Sequence, residues 1–132
     1  MKNGHAPISY QLIIELEKQA VITVGKLGTF AFPAGTYVYS GSARKNMEAR
    51  VARHMARSKK MRWHIDYLLS HPGTKLVRTE LFAESECVLN KRIGGAIVAL
   101  RFGATDCRNR CRSHLKHLDS GKEKFVPTCL GE

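Results

Sequence analysis

Tyr37-Val38-Tyr39-Ser40-Gly41-Ser42-Ala43, running straight on into Arg44-Lys45-Asn46-Met47-Glu48-Ala49-Arg50, is the stretch on which the fold turns. Thr36 to Ser40 is rich in Tyr and Val, which suits a strand. Gly41 closes it with a tight turn. Asn46 to Ser58 then reads as a helix, with Asn46 as its N-cap. At about 100° per residue, Met47, Val51 and Met55 share one face, and Arg50, Arg53 and Arg57 lie on another. A strand, a turn and a helix that presents arginine in its first turns form a corner suited to phosphate. Helix N-terminal N–H groups point outward there, and an arginine makes paired charge-assisted bonds to phosphate oxygens.

Upstream, Ile8 to Leu16 alternates imperfectly and Ala20 to Val24 alternates cleanly. The short polar link Glu17-Lys18-Gln19 predicts that they form an antiparallel hairpin. Gly25 to Gly35 holds three glycines and Pro33 and reads as a loop, with a short strand around Phe30 and Phe32. Downstream, a helix from about Arg62 to Ser70 is stopped by His71-Pro72-Gly73. Thr74 to Phe82 is a strand. Glu84 to Ile93 is a helix with acidic residues in its first turn, where the helix dipole favours them. Gly94-Gly95 interrupts it, and Ala96 to Leu100 is either a short strand or its remainder. Arg101 to Ser113 is polar and irregular. The tail from Asp119 is loop, with a short strand near Phe125-Val126. The order β, β, β, α, α, β, α argues against a doubly wound parallel sheet. The fold class expected is α+β, a small and mainly antiparallel sheet flanked by helices. The 132 residues fit a single domain over 1–132, with no repeat and no linker.

Charge narrows the partner. The chain has 22 Lys+Arg against 11 Asp+Glu, a net charge of +11. Such an excess points to a polyanion, most often nucleic acid, with an anionic membrane as the rival. Arg44 to Arg62 concentrates it, with eight basic residues against Glu48 alone. A charge run is commonly just a solvated face. Beside the strand–turn–helix corner it reads instead as a nucleic-acid track: Arg44, Lys45, Arg53, Arg57, Lys59, Lys60 and Arg62. No run reaches the roughly 18 apolar residues of a membrane span. Met1-Lys2-Asn3-Gly4-His5 lacks the apolar core of a signal peptide, so a cytoplasmic location is expected. Cys87, Cys107, Cys111 and Cys129 are then reduced thiols or metal ligands.

Plainer roles compete for each residue. Tyr10 and Tyr39 sit in strands, where tyrosine packs well. His54 suits a hydrogen-bonded structural histidine as well as a catalytic helper. Trp63 reads as core ahead of a base-stacking platform. His64 and Asp66 are two apart on a helix and point in different directions. Cys107, Cys111 and His114 could give three zinc ligands, with Cys87 or Cys129 as the fourth. The arginines at 108, 110 and 112 oppose a cation there, so buried thiols in an arginine-rich loop is the default.

The motif resembles the GIY-YIG nuclease superfamily. Tyr39-Ser40-Gly41 stands for the second triplet, with Ser40 where an aliphatic residue is usual. Ser42-Ala43 continues the pattern, and Ile8-Ser9-Tyr10 keeps the tyrosine of the first triplet. Met47 and Arg50 match the apolar residue and the arginine of the helix that follows, and His54 matches a frequent residue one turn on. Glu86, 36 residues after Arg50, suits the metal-binding glutamate of a later helix, with Glu84 as its neighbour. Gly28 to Leu69, with Trp63-His64-Ile65-Asp66-Tyr67, and later Asp106-Cys107 and Ser113-His114-Leu115, resemble the Uri-type branch of that superfamily.

The resemblance implies a metal-dependent endonuclease acting on phosphodiester bonds, with a place in DNA repair. Glu86 would hold one Mg²⁺ or Mn²⁺, hard ions suited to a carboxylate and water. Tyr10 or Tyr39 would position or deprotonate the attacking water, and Arg50 would offset charge on the phosphate. Tyrosine has an ordinary pKa of ~10, so nearby arginines are expected to favour the phenolate. Two alternatives stand beside this. One is a nucleic-acid-binding module of a repair or processing complex, which Ser40 and the altered first triplet favour. The other is a zinc-stabilised interaction domain.

Overall fold

Leu12-Ile13-Ile14 leaves its strand without a solvent face, and the sheet is arranged around it. The computed structural model describes residues 7–43, 46–56, 61, 63–104 and 111–118. In strand β1 (Ser9–Leu16) every residue but Glu15 is buried. A strand covered on both faces belongs in the middle of a sheet. β1 pairs antiparallel with β4 (Gly35–Ser42) on one side and β5 (Thr74–Phe82) on the other. A fourth strand, β6 (Leu115–Leu118), adds antiparallel to β4, giving the order β5-β1-β4-β6. No sequence pattern marks β6. Two of its four residues are Lys116 and His117, and an edge strand needs little apolar alternation.

The expected β1–β2 hairpin does not form. β2 (Ala20–Val24) pairs instead with β3 (Gly28–Phe32), in a separate two-stranded sheet with Ala20 opposite Phe32 and Val24 opposite Gly28. Its burial alternates strictly, as one-sided packing requires, whereas β1 needs a partner along both edges. Gly25, at φ 50°, turns the chain, and Leu27 N donates to Val24 O across 2.9 Å. One continuous core lies under this hairpin. It joins Leu12 and Ile14 of β1 to Phe32, Tyr37, Ile65 and Leu68. Each such side chain contributes about 1.5–3 kcal/mol on burial.

Helix α1 (Met47–Met55) begins at Asn46, which adopts the left-handed conformation (φ 58°) and makes no side-chain cap bond. Met47 and Val51 pack on the core as expected. Met55 does not: it is 64% exposed, and His54, only 2% exposed, takes the inward place. The helix ends at Met55, and a polar partner for His54 waits beneath it. Helix α2 (His64–Leu69) and helix α3 (Glu86–Arg92) are shorter than the predicted spans. Ser85 caps α3, its Oγ accepting from Val88 N. Ala96 to Leu100 is neither strand nor helix. Only Ala96 pairs, in a single bridge to His117. Phe125-Val126 lies outside the described residues. The α+β class with a mainly antiparallel sheet is as expected. No helix among the described residues is long and apolar enough to cross a membrane.

Candidate active site

β1 and β4 run in a register that sets Tyr10 opposite Gly41. The Tyr10 ring lies over this glycine. A Cβ at position 41 would meet three of the side chain's atoms at 2.6 Å. Gly41 is thus inside the strand, and not the tight turn the sequence suggests. Its lack of a side chain makes room for the phenol. The Tyr10 hydroxyl then reaches Nε2 of His54 at 2.7 Å, with the two rings stacked 5.3 Å apart.

Arg50 stands one helical turn before His54 on α1. Its Nη1 donates to Ser42 O across 2.7 Å, tying the helix to the end of β4. Its guanidinium sits 4.5 Å from the centre of the Trp63 ring, and that of Arg53 lies at the same distance. Trp63, half-buried, is neither simple core nor an open platform. It is the surface on which both arginines stack. Arg53 also donates to both carboxylate oxygens of Asp66, at 2.8 and 2.9 Å. That carboxylate is fully buried and accepts from Trp63 N as well, at 2.8 Å. Arg53, expected in the nucleic-acid track, is therefore engaged in joining α1 to α2. Arg44, Lys45, Arg57, Lys59, Lys60 and Arg62 lie outside the described residues.

Tyr39 follows in the same layer, edge-on to Tyr10 at 6.5 Å and to Phe102 at 6.2 Å. Gly103, at φ 68°, packs so closely that a Cβ there would lie 2.9 Å from the Tyr39 ring. His64 holds this turn, its Nδ1 accepting from Gly103 N at 2.8 Å. His64 and Asp66 thus do face different partners. Nothing in the sequence marks the Gly103 contact, because it joins segments 64 residues apart.

Burial governs the phenols. It pushes Tyr10 up to about 12, against the charge and a side-chain hydrogen bond of Arg50, while Asp66 and Glu86 push further up. Tyr39 is raised more strongly, by burial first and then by Tyr10, with Arg50 again opposing. The expectation that arginine would favour phenolate is overturned. Its pull is present, but loss of solvent outweighs it. Both tyrosines are neutral hydroxyls at neutral pH.

Glu86 opens α3. Its charge acts on Tyr10, on Tyr39 and on His114, so it shares one electrostatic environment with Arg50. Glu84 does not compete. Its carboxylate pairs with Arg92 at 2.6 Å, and its carbonyl accepts from Ser9 Oγ. Of the residues singled out in the sequence, Tyr10, Tyr39, Arg50 and His54 are thus brought together, and Glu86 acts on the phenols by its charge.

Beyond Glu86 lies a second group. Cys87, Cys111 and His114 bring their sulfur and nitrogen atoms within 4.8 Å of one another. Cys107 and Cys129 are outside the described residues. Burial lowers the His114 pKa, with Glu86 and a backbone hydrogen bond to Gly103 opposing.

The fold is a small α+β domain whose mainly antiparallel sheet sets two phenols, an imidazole and an arginine at one corner. Over residues 9–130 the chain matches the profile of the domain of unknown function DUF123, and it belongs to that family. No curated protein and no solved structure matches it.

Proposed function

We propose that this protein is a metal-dependent endonuclease of the GIY-YIG type, related to the Uri-type branch, that hydrolyses phosphodiester bonds in nucleic acid, DNA foremost. The observation that carries the reading is the buried Tyr10–His54 hydrogen bond, at 2.7 Å, with Arg50 and Glu86 acting on the same phenol. Because that phenol is neutral, it cannot itself start as the base. Its hydroxyl takes a proton from the attacking water while passing its own to His54 Nε2. Arg50 has five N–H donors, and the Ser42 contact uses one of them. Further donors on the same guanidinium meet phosphate oxygens as charge develops. Tyr39 packs behind Tyr10 and shields the pair from bulk water.

Glu86 is the carboxylate suited to a metal. Asp66, which also acts on the phenols, is occupied by Arg53 and Trp63 N. Mg²⁺ binds through one or two carboxylates, waters and substrate phosphate, so a single glutamate suffices. A divalent ion held there would offset charge on the leaving oxygen. One observation favours the binding-module reading, namely that burial keeps both phenols protonated.

Labelled single-stranded, duplex and branched DNA, and RNA, incubated with Mn²⁺ or Mg²⁺, decide between the two. Cleavage is expected on at least one substrate, with Arg50→Ala and Glu86→Ala each slower by about 10²–10³-fold. Absence of cleavage on every substrate, or its survival in both variants, leaves only a binding module.

A further inference from the structure

We infer that Cys87, Cys111 and His114 bind one Zn²⁺, which clasps the segment leading into β6 onto α3. The three ligands come from places well separated in sequence. Cys87 is in the first turn of α3, and Cys111 and His114 precede β6. Their donor atoms nonetheless lie within 4.8 Å of one another, with Cys87 Sγ 3.8 Å from His114 Nε2. Zinc bonds of ~2.3 Å to sulfur and ~2.0–2.1 Å to nitrogen at a tetrahedral angle put the two ligand atoms about 3.6 Å apart. The pair is therefore close to zinc-ready spacing.

Donor chemistry selects the metal. Two sulfurs and an imidazole nitrogen suit zinc, whereas Mg²⁺ and Mn²⁺ favour oxygen. The His114 ring already has the orientation of a ligand. Its Nε2 faces Cys87 Sγ at 3.8 Å. The objection from Arg108, Arg110 and Arg112 weakens on charge balance. Two thiolates cancel the two charges of Zn²⁺, leaving a neutral centre that nearby positive charge does not oppose. With three protein ligands, the fourth position falls to water.

The surrounding bonds show what the clasp would reinforce. Asn90 Nδ2 donates to Ser113 O at 2.8 Å, and Lys116 Nζ donates to Asn90 O and Ile93 O at 3.1 and 3.0 Å. All of them join α3 to the β6 segment. The site is independent of the nuclease reading, because successive helix residues Glu86 and Cys87 serve different sites.

Metal content tests it without any nucleic acid. Protein purified without chelator, incubated with excess Zn²⁺ and desalted should carry close to one zinc per chain. Glu86→Ala should keep it. His114→Ala and the double variant Cys87→Ser, Cys111→Ser should lose most of it and melt at lower temperature. Should those variants fail to fold, Co²⁺ replacement in the wild type reads the same site, through a thiolate-to-cobalt charge-transfer band of two-thiolate intensity. Folded wild type with zinc well below stoichiometric and no such band would overturn the proposal. So would zinc retained by both variants, or a Cys87–Cys111 disulfide in metal-free protein.

Discussion

The corner where α1 meets β1 and the corner where α3 meets β6 are held together by different means. At the first, ring stacking, a buried ion pair and a side-chain-free strand position lock Tyr10, His54 and Arg50. At the second, an N-cap, a few hydrogen bonds and a cysteine–histidine cluster fix α3, and with it Glu86. The aromatic corner is built on α1, and Glu86 is carried on the shorter helix α3. The two halves of the candidate site therefore fail in different ways when perturbed.

The largest effect should come from Asp66→Ala. It removes a fully buried carboxylate that pairs with Arg53 and caps α2. Breaking such a pair from one side costs about 4 kcal/mol, seen as a lower urea midpoint. Zinc binding by the folded fraction should survive, since the α3–β6 corner is untouched. Loss of zinc there would merge the two corners into one.

The next effect is in pH. Burial holds the folded Tyr10 phenol at about 12, above its unfolded value of ~10. The protonated form thus contributes stability that is fully present below pH ~10 and is lost as pH rises through ~12. The contribution is roughly 2–3 kcal/mol. Tyr10→Phe should flatten the difference in stability between pH ~9 and ~12 relative to wild type. Parallel curves for the two proteins would mean that Tyr10 is not buried as described.

Gly41→Ala is gentler on stability, about 2 kcal/mol by overpacking. Its methyl displaces the Tyr10 ring from 2.6 Å contact, so the His54 bond should open and cleavage fall with it. Ser85→Ala is the smallest, about 1 kcal/mol from the lost α3 cap. It should loosen Glu86 while leaving Tyr10 and His54 in place. A larger loss for Ser85→Ala than for Gly41→Ala would invert the proposed order of rigidity.

The first corner is legible in the sequence because its parts are local. The strand and helix around Gly41 and Arg50 lie within one stretch, and the arginine periodicity shows on one helix. What escapes a sequence reading is long-range. The double burial of β1 is visible in Leu12-Ile13-Ile14, yet the short polar link to β2 suggests a local hairpin. His54 in place of Met55 on the inner face depends on Tyr10, 44 residues away. Cys87 joins Cys111 and His114 only through the packing of α3 against the β6 segment. The sequence offers Cys87 only as one of two candidate fourth ligands beside Cys111 and His114, and the fold is what selects it. The neutral state of the phenols also needs burial that no strand pattern quantifies.

The most direct measurement is single-turnover cleavage by Glu86→Gln, in zinc-loaded protein with Mn²⁺, on whichever nucleic acid the wild type cuts. The substitution removes the charge that acts on Tyr10 and Tyr39 while keeping shape. The rate should fall by about 10²-fold or more, with nucleic-acid affinity within about threefold of wild type. A cleavage rate within about threefold of wild type would contradict a hydrolytic role for this corner.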